Sequence, residues 1–203
     1  MKKLYLFRHG ETVWNKDKEA KFSEEFRDIG LTEFGIEQAR ENAEILKNSG
    51  IEIIYSSPLK RAYQTAKVLA DLIHVEIKIA NDLQEFSIYD DSVFGLTRDE
   101  IRERLGSEKY DRFVESKDDF MDWRLSDCET RREARTRFYN ALINICETEE
   151  CNIIGIATHG AILREFLRML NFEDDSRVKN CEIVEVKYND KKLKIIKRIK
   201  NEN

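Results

Sequence analysis

Short apolar runs of strand character alternate with segments of helical period along nearly the whole chain, and this alternation constrains the fold most. Residues 3–8, 51–56, 75–80, 152–157, 181–188 and 192–199 read as strands. Between them, residues 32–49 carry apolar side chains at Phe34, Ile36, Ala39, Ala43 and Leu46, with Thr32 as N-cap and Gly50 as stop. A second helix is expected to be capped by Ser57, to have Pro58 at its first position and to run to about Ile73. Two more cover 129–147 and 161–170, and a turn at Asn189 and Asp190 joins the last two strands. The order β-α-β-α-β, then α-β-α-β-β, predicts an α/β fold: a three-layer α/β/α sandwich with a mostly parallel sheet. Residues 86–128 break the pattern. They are rich in aspartate, interrupted by Gly95 and Gly106, and suggest two short helices, 97–105 and 108–116, with no strand. We read them as a helical cap inserted into a single domain spanning 1–203. The place of the last two strands in the sheet order is left open.

Composition narrows the function classes. The 203 residues are 41% hydrophobic, enough for a substantial core. Lys plus Arg is 35 against 40 Asp plus Glu, a formal charge of −5, which gives no global reason for a nucleic-acid partner. The one proline and eight glycines exclude proline-rich linkers and collagen-like repeats. The N-terminal apolar run ends at Arg8, too short for a signal-peptide core, and no run approaches the roughly 20 residues of a membrane helix. A cytoplasmic location is expected. Cys128, Cys146, Cys151 and Cys181 form no C-x-x-C pair and have no nearby histidine, so they read as free thiols.

In a parallel α/β sheet, ligands sit beyond the carboxyl ends of the strands. The first strand is followed by Arg8, His9, Gly10, Glu11 and Thr12; the second by Ser56, Ser57 and, one turn on, Arg61; the third by Glu85; the fourth by Thr158, His159 and Gly160. Two arginines, two histidines and a carboxylate therefore converge on one rim. Paired guanidinium forks match a phosphate dianion. Glycine at 10 and 160 lets backbone N–H groups approach an anion, and helix N-termini add positive dipole. A histidine there can attack phosphorus, and a carboxyl group can protonate the leaving oxygen. The arginines supply the charge stabilisation, so neither metal nor cofactor is expected.

These residues resemble the signatures of the histidine phosphatase superfamily, the phosphoglycerate mutase-like fold. Arg8-His9-Gly10-Glu11-Thr12 is similar to its leading motif, and Asn15 stands where that motif often continues with asparagine. The stretch 28–35 resembles D-x-P-L-T-x-x-G, with Gly30 in place of the proline. Residues 56–66 resemble the S-P-L-x-R-A-x-x-T-A helix start, and Leu83-Gln84-Glu85 and Thr158-His159-Gly160 complete the set. The resemblance implies that His9 is the nucleophile that becomes phosphohistidine, and that Glu85 is the general acid and base. It implies that Arg8, Arg61 and His159 bind the phosphoryl group and stabilise its transition state. Asn15 would add a hydrogen bond to the phosphate, and residues 86–128 would cover the pocket.

Plainer readings compete at several positions. Lys60 is a surface charge, and His74 a helix-end or surface residue. Glu85 has neighbours of the same chemistry in Glu11 and Asp82, and motif position selects it. The aspartates of the insertion (Asp90, Asp91, Asp118, Asp119, Asp122, Asp127) read as a solvated acidic face, unsuited to a second phosphate. Phe94, Phe113, Phe120 and Trp123 read as the cap's own small core. The six basic residues within 191–200 read as an edge strand protected from aggregation.

Glu85 is followed by Phe86-Ser87-Ile88-Tyr89-Asp90, without the arginine–histidine pair that extends the mutase pattern. Hydrolysis of a phosphomonoester is therefore expected, with a cofactor-dependent phosphoglycerate mutase or a phosphoprotein phosphatase as alternatives. A non-catalytic phospholigand sensor is disfavoured by the presence of His9 and Glu85. The expected partner is a small phosphorylated metabolite, with neither nucleic acid nor membrane, and the oligomeric state, a homodimer included, stays open.

Overall fold

The structure is a computed structural model that describes residues 1–23, 28–86, 90–117, 121–123 and 128–200. Six strands form one sheet: β1 (Lys2–Arg8), β2 (Ile53–Ser56), β3 (Ile77–Ile79), β4 (Ile153–Thr158), β5 (Ile183–Asn189) and β6 (Lys192–Ile199), in the order β3-β2-β4-β1-β5-β6. The first four are parallel, and β5 and β6 run antiparallel at one side. This settles the position of the last two strands: β5 lies against β1, and β6 is the edge.

Strand β1 shows why the sheet is covered on both faces. Leu4 and Leu6 point to one side, and Tyr5 and Phe7 to the other, all four buried. The first side packs Ile154, Ile156, Val184 and Val186 against Phe138, Leu142, Ile162, Leu163 and Phe166. Those partners come from α6 (Arg131–Thr148) and α7 (Gly160–Met169). The second side packs Ile54, Ala157 and Ile183 against Ala43, Leu46, Ala66 and Leu69. These belong to α2 (Glu33–Leu46) and α3 (Lys60–Ile73), and α1 (Val13–Lys16) is a single turn after β1. Each fully buried large side chain contributes about 1.5–3 kcal/mol, so the two faces together fix the three layers predicted from sequence.

The helix boundaries lie close to the expected ones, and at Thr32 for the expected reason. Thr32 Oγ1 accepts from Gly35 N at 3.0 Å and caps α2. Thr130 and Glu133 form a reciprocal capping box on α6. His74 ends α3 in the left-handed region at φ 57°. Two details differ. Helix α3 begins at Lys60 rather than at Pro58, and the Ser57 hydroxyl is engaged with His159 rather than serving as its N-cap. The hairpin turn sits one residue later than expected, with Asp190 and Lys191 both at positive φ (48° and 61°), the pairing that suits the twist of a two-residue hairpin.

Residues 86–128 contain α4 (Arg98–Arg104) and α5 (Ser107–Glu115), close to the expected pair, and no strand among the described residues. Their aromatics do not form one core. Phe94 joins Phe22, Val93, Ile101 and Trp14 in a small cluster, whereas Phe113 and Trp123 pack against Phe86 and the main core. The reason is position in the chain: Phe94 lies before α4, near the 20–23 segment, and Phe113 faces the sheet from α5. Asp122 is solvated and pairs with Arg132, and Asp90 accepts from Ser92 N. Asp118, Asp119, Phe120 and Asp127 lie outside the described residues.

The insertion is tied down by a group the sequence did not flag. Arg131 donates to the Phe113 carbonyl at 2.6 Å, Arg164 and Arg168 to the Val114 carbonyl at 3.2 Å each, and Arg131 and Arg168 both to the Ser116 carbonyl at 2.8 Å. These cations meet the negative end of α5, and Arg131, Arg135 and Arg168 share the buried carboxylate of Glu165. All four cysteines are free, with Cys146 and Cys181 buried. No helix among the described residues is long and apolar enough to cross a membrane.

Candidate active site

Strand register brings the motif ends together. Arg8 pairs with Thr158 across β1 and β4, and Ser56 with Ala157 across β2 and β4. The residues just past these pairs are His9, His159 and Ser57. His9 N donates to the Thr158 carbonyl at 3.1 Å, and Ser57 N to the Ala157 carbonyl at 3.0 Å. The His9 and His159 rings meet edge to face, 5.3 Å between centroids, and both are buried.

His9 Nδ1 lies 2.7 Å from the Gly10 carbonyl oxygen. A carbonyl only accepts, so Nδ1 carries the proton and Nε2 holds the free lone pair. Burial pushes the His9 pKa well below its ordinary value, and the cations Arg8 and Arg61 push it further. His159 is lowered in the same way, by burial first and then by Arg61. Both rings are therefore neutral at pH 7. Burial lowers the Arg8 pKa to about 10, opposed by the Glu85 carboxylate, and lowers that of Arg61 too, opposed by Glu85 and Asp28. The site thus combines two charged guanidinium groups with two neutral imidazoles, one presenting a nucleophilic lone pair.

Arg8 is held by a bond from Nη1 to the Val178 carbonyl at 2.9 Å, while its buried Nε has no hydrogen-bond partner. A Cβ on Gly160 would stand 2.9 Å from that Nε. Gly160 is thus needed to make room for the Arg8 side chain. Gly10 also has a different reason from the one expected: its N–H donates to Thr65 Oγ1 at 3.1 Å, and its Cα packs against the backbone of Gly35.

The Glu85 carboxylate accepts from Ala161 N at 3.1 Å, Ile162 N at 2.8 Å and Phe86 N at 2.9 Å, which places it at the N-terminus of α7 beside His159. The segment before it is fixed carbonyl by carbonyl. Arg137 Nη1 donates to Asp82 O at 2.7 Å and Gln84 O at 3.2 Å, and Thr158 Oγ1 donates to Leu83 O at 2.8 Å. Asn15 Oδ1 accepts from Asn180 Nδ2 at 3.1 Å, and the same Nδ2 donates to the His9 carbonyl at 3.0 Å.

Arg8, His9, Arg61, Glu85 and His159 are thus gathered as the sequence predicted, with Asn15 linked to His9 through Asn180. Sequence reasoning missed Ser57 and Thr65 as supports, although both lie in the recognised 56–66 stretch. It missed Arg137, an ordinary helix arginine in sequence, and Asn180, which carries no local signal.

The model of the histidine phosphatase superfamily (branch 1) matches residues 4–201. A phosphatase of Bacillus subtilis named PhoE, itself uncharacterized, is 27% identical over 96% of this chain and 93% of its own length. A probable phosphoglycerate mutase, GpmB, of Yersinia pestis is 29% identical over 93% of this chain and 86% of its own. Phosphoserine phosphatase of Entamoeba histolytica, solved in complex with 3-phosphoglyceric acid, superposes with a TM-score of 0.76 at 27% identity, over 100% of this chain and 98% of that one. With the matched model spanning almost the whole sequence, the chain belongs to the histidine phosphatase superfamily, branch 1, and is a phosphatase-type enzyme.

Proposed function

We propose that the protein hydrolyses small phosphomonoesters in two steps through a phosphohistidine on His9, without a metal. The observation that carries this reading is the contact of His9 Nδ1 with the Gly10 carbonyl, which leaves Nε2 as the free nitrogen beside Arg8 and Arg61. In the first step Nε2 attacks phosphorus, the P–O bond to the leaving group breaks, and Glu85 protonates the departing oxygen. In the second, Glu85 takes a proton from water, which attacks the phosphohistidine and releases inorganic phosphate. Arg8, Arg61 and His159 neutralise the charge on the transferring group, and Asn15 adds a hydrogen bond. Gly160 serves by leaving room for Arg8. Residues 86–128 act as a cap over this pocket within a single catalytic domain.

Small carboxylated phosphoesters head the list of substrates, because the Entamoeba relative is a phosphoserine phosphatase that was solved with 3-phosphoglyceric acid. A phosphoglycerate mutase is the second reading, favoured by the GpmB relatives and disfavoured by the missing arginine–histidine pair after Glu85. The test is phosphate release from a panel of phosphomonoesters with EDTA present, alongside isomerisation of 3-phosphoglycerate. Rapid, EDTA-resistant release that vanishes in His9→Ala supports the phosphatase; isomerisation without release supports the mutase; turnover that needs added metal overturns the mechanism.

A further inference from the structure

His159 has one partner on its ring and one atom without any. Its Nε2 lies 2.8 Å from Ser57 Oγ, while its Nδ1 is buried with no hydrogen-bond partner. Ser57 is fully buried, so its hydroxyl proton has no access to bulk water. Ser57 Oγ already accepts from Leu59 N at 3.3 Å.

Two arrangements are open. If His159 Nε2 carries the proton, Ser57 Oγ accepts twice, its own proton has no acceptor, and the Nδ1 lone pair is buried unpaired. If Ser57 donates to Nε2, the hydroxyl is satisfied as donor and acceptor, and only an Nδ1–H is left without a partner. The first leaves two buried groups unsatisfied and the second leaves one, and each such group is costly. The group left over in the second arrangement is a donor, which is what a phosphoryl oxygen needs.

We infer that Ser57 donates its hydroxyl proton to His159 Nε2 and so fixes His159 as the Nδ1–H tautomer, holding a hydrogen-bond donor ready for the phosphoryl group. Ser57 is then a positioning residue: it acts on the reaction through His159. This inference rests on the phosphoryl-transfer reading of the site. It also gives a use to a residue that sequence alone reads as a helix cap. Strand register makes the contact, since Ser57 lies one residue beyond Ser56 of β2, and His159 two residues beyond its partner Ala157 of β4. Ser56 supports it, its hydroxyl donating to the Ser57 carbonyl at 2.8 Å.

The chain has only three histidines, so a nitrogen-15 NMR spectrum of its imidazoles resolves the question in the unmodified protein, with His159→Asn giving the assignment. The expected result is a protonated Nδ1 and an unprotonated Nε2 on His159. In Ser57→Ala, the Nε2 signal moves and the two tautomers mix. The kcat on the best ester falls about tenfold, the loss expected for one positioned hydrogen bond, with KM little changed. Ser57→Thr restores part of both. A protonated Nε2 on His159 in the unmodified protein overturns the inference, as does a Ser57→Ala spectrum identical to that of the parent. If Ser57→Ala does not fold, the parent spectrum decides alone. The spectrum does not depend on turnover, so failure of the phosphatase reading appears separately, as absent phosphate release from every ester.

Discussion

Gly10 and Gly35 touch backbone to backbone. A Cβ on Gly10 would stand 2.3 Å from the Gly35 carbonyl oxygen, and one on Gly35 would stand 2.2 Å from the Glu11 carbonyl oxygen. The loop carrying His9 is thereby seated on the first turn of α2, where Thr32 and Gln38 also bond to Glu11. Neither glycine has room for a side chain, and the obstacle in each case is main chain that cannot rotate away.

Gly10→Ala is therefore expected to cost about 3 kcal/mol of stability, at the upper end for overpacking. Gly160→Ala meets the Arg8 side chain instead, which can shift. It should keep most of the stability and lose phosphate affinity. Urea denaturation and inhibition by inorganic phosphate, measured on both variants, separate the two. Equal stability losses would contradict this assignment.

Stability should fall with pH below about 6.5. His9 and His159 are both held well below their ordinary pKa by burial first and then by neighbouring cations. Well above pH 6.5 the rings are neutral in the folded and unfolded chains alike. As the pH drops through that value, the unfolded chain takes up protons that the native rings refuse, so unfolding is favoured. Across the unit from pH 6.5 to 5.5 each ring contributes about 1 kcal/mol, approaching about 1.4 per unit at lower pH, and the two together about 2. Chemical denaturation between pH 6.5 and 5.5 should show this slope, and His159→Gln should halve it. An unchanged slope in that variant would sink the prediction.

Arg137 and Glu129 form a half-buried ion pair, and Arg137 also grips the carbonyls on either side of Leu83. Removing the guanidinium in Arg137→Met releases the segment that presents Glu85. A loss of about tenfold in kcat/KM is expected, corresponding to roughly one to two hydrogen bonds. Because Thr158 holds the intervening carbonyl, Arg137→Met and Thr158→Val should be non-additive in a double-mutant cycle. Strict additivity would mean that the two side chains do not act on one segment.

The parts legible in sequence were those with local signals. Apolar period placed four of the helices and every strand within a few residues, and strand ends carried Arg8, His9 and His159 to the rim. The hidden parts depend on contacts between distant segments. Ser57 looked like an N-cap because serine before proline commonly is one; only the pairing of β2 with β4 reveals its contact with His159. Gly10 looked like an anion-approach glycine because its partner, Gly35, is remote in sequence. The buried arginines around Glu165 carry no local signal, since nothing near them in sequence shows that they meet the end of α5. The order of β5 and β6 was equally invisible, because an antiparallel hairpin can join either edge of a parallel sheet.

The proposed mechanism requires that phosphorus become bonded to His9. The most direct measurement is a rapid alkaline quench during turnover of the best ester, followed by mass analysis of the peptide containing residue 9. The expected result is one added phosphoryl group on His9, labile to acid, formed with EDTA present, and missing in His9→Ala. Undiminished phosphate release by His9→Ala, or a phosphoryl group found on any other residue, would contradict it.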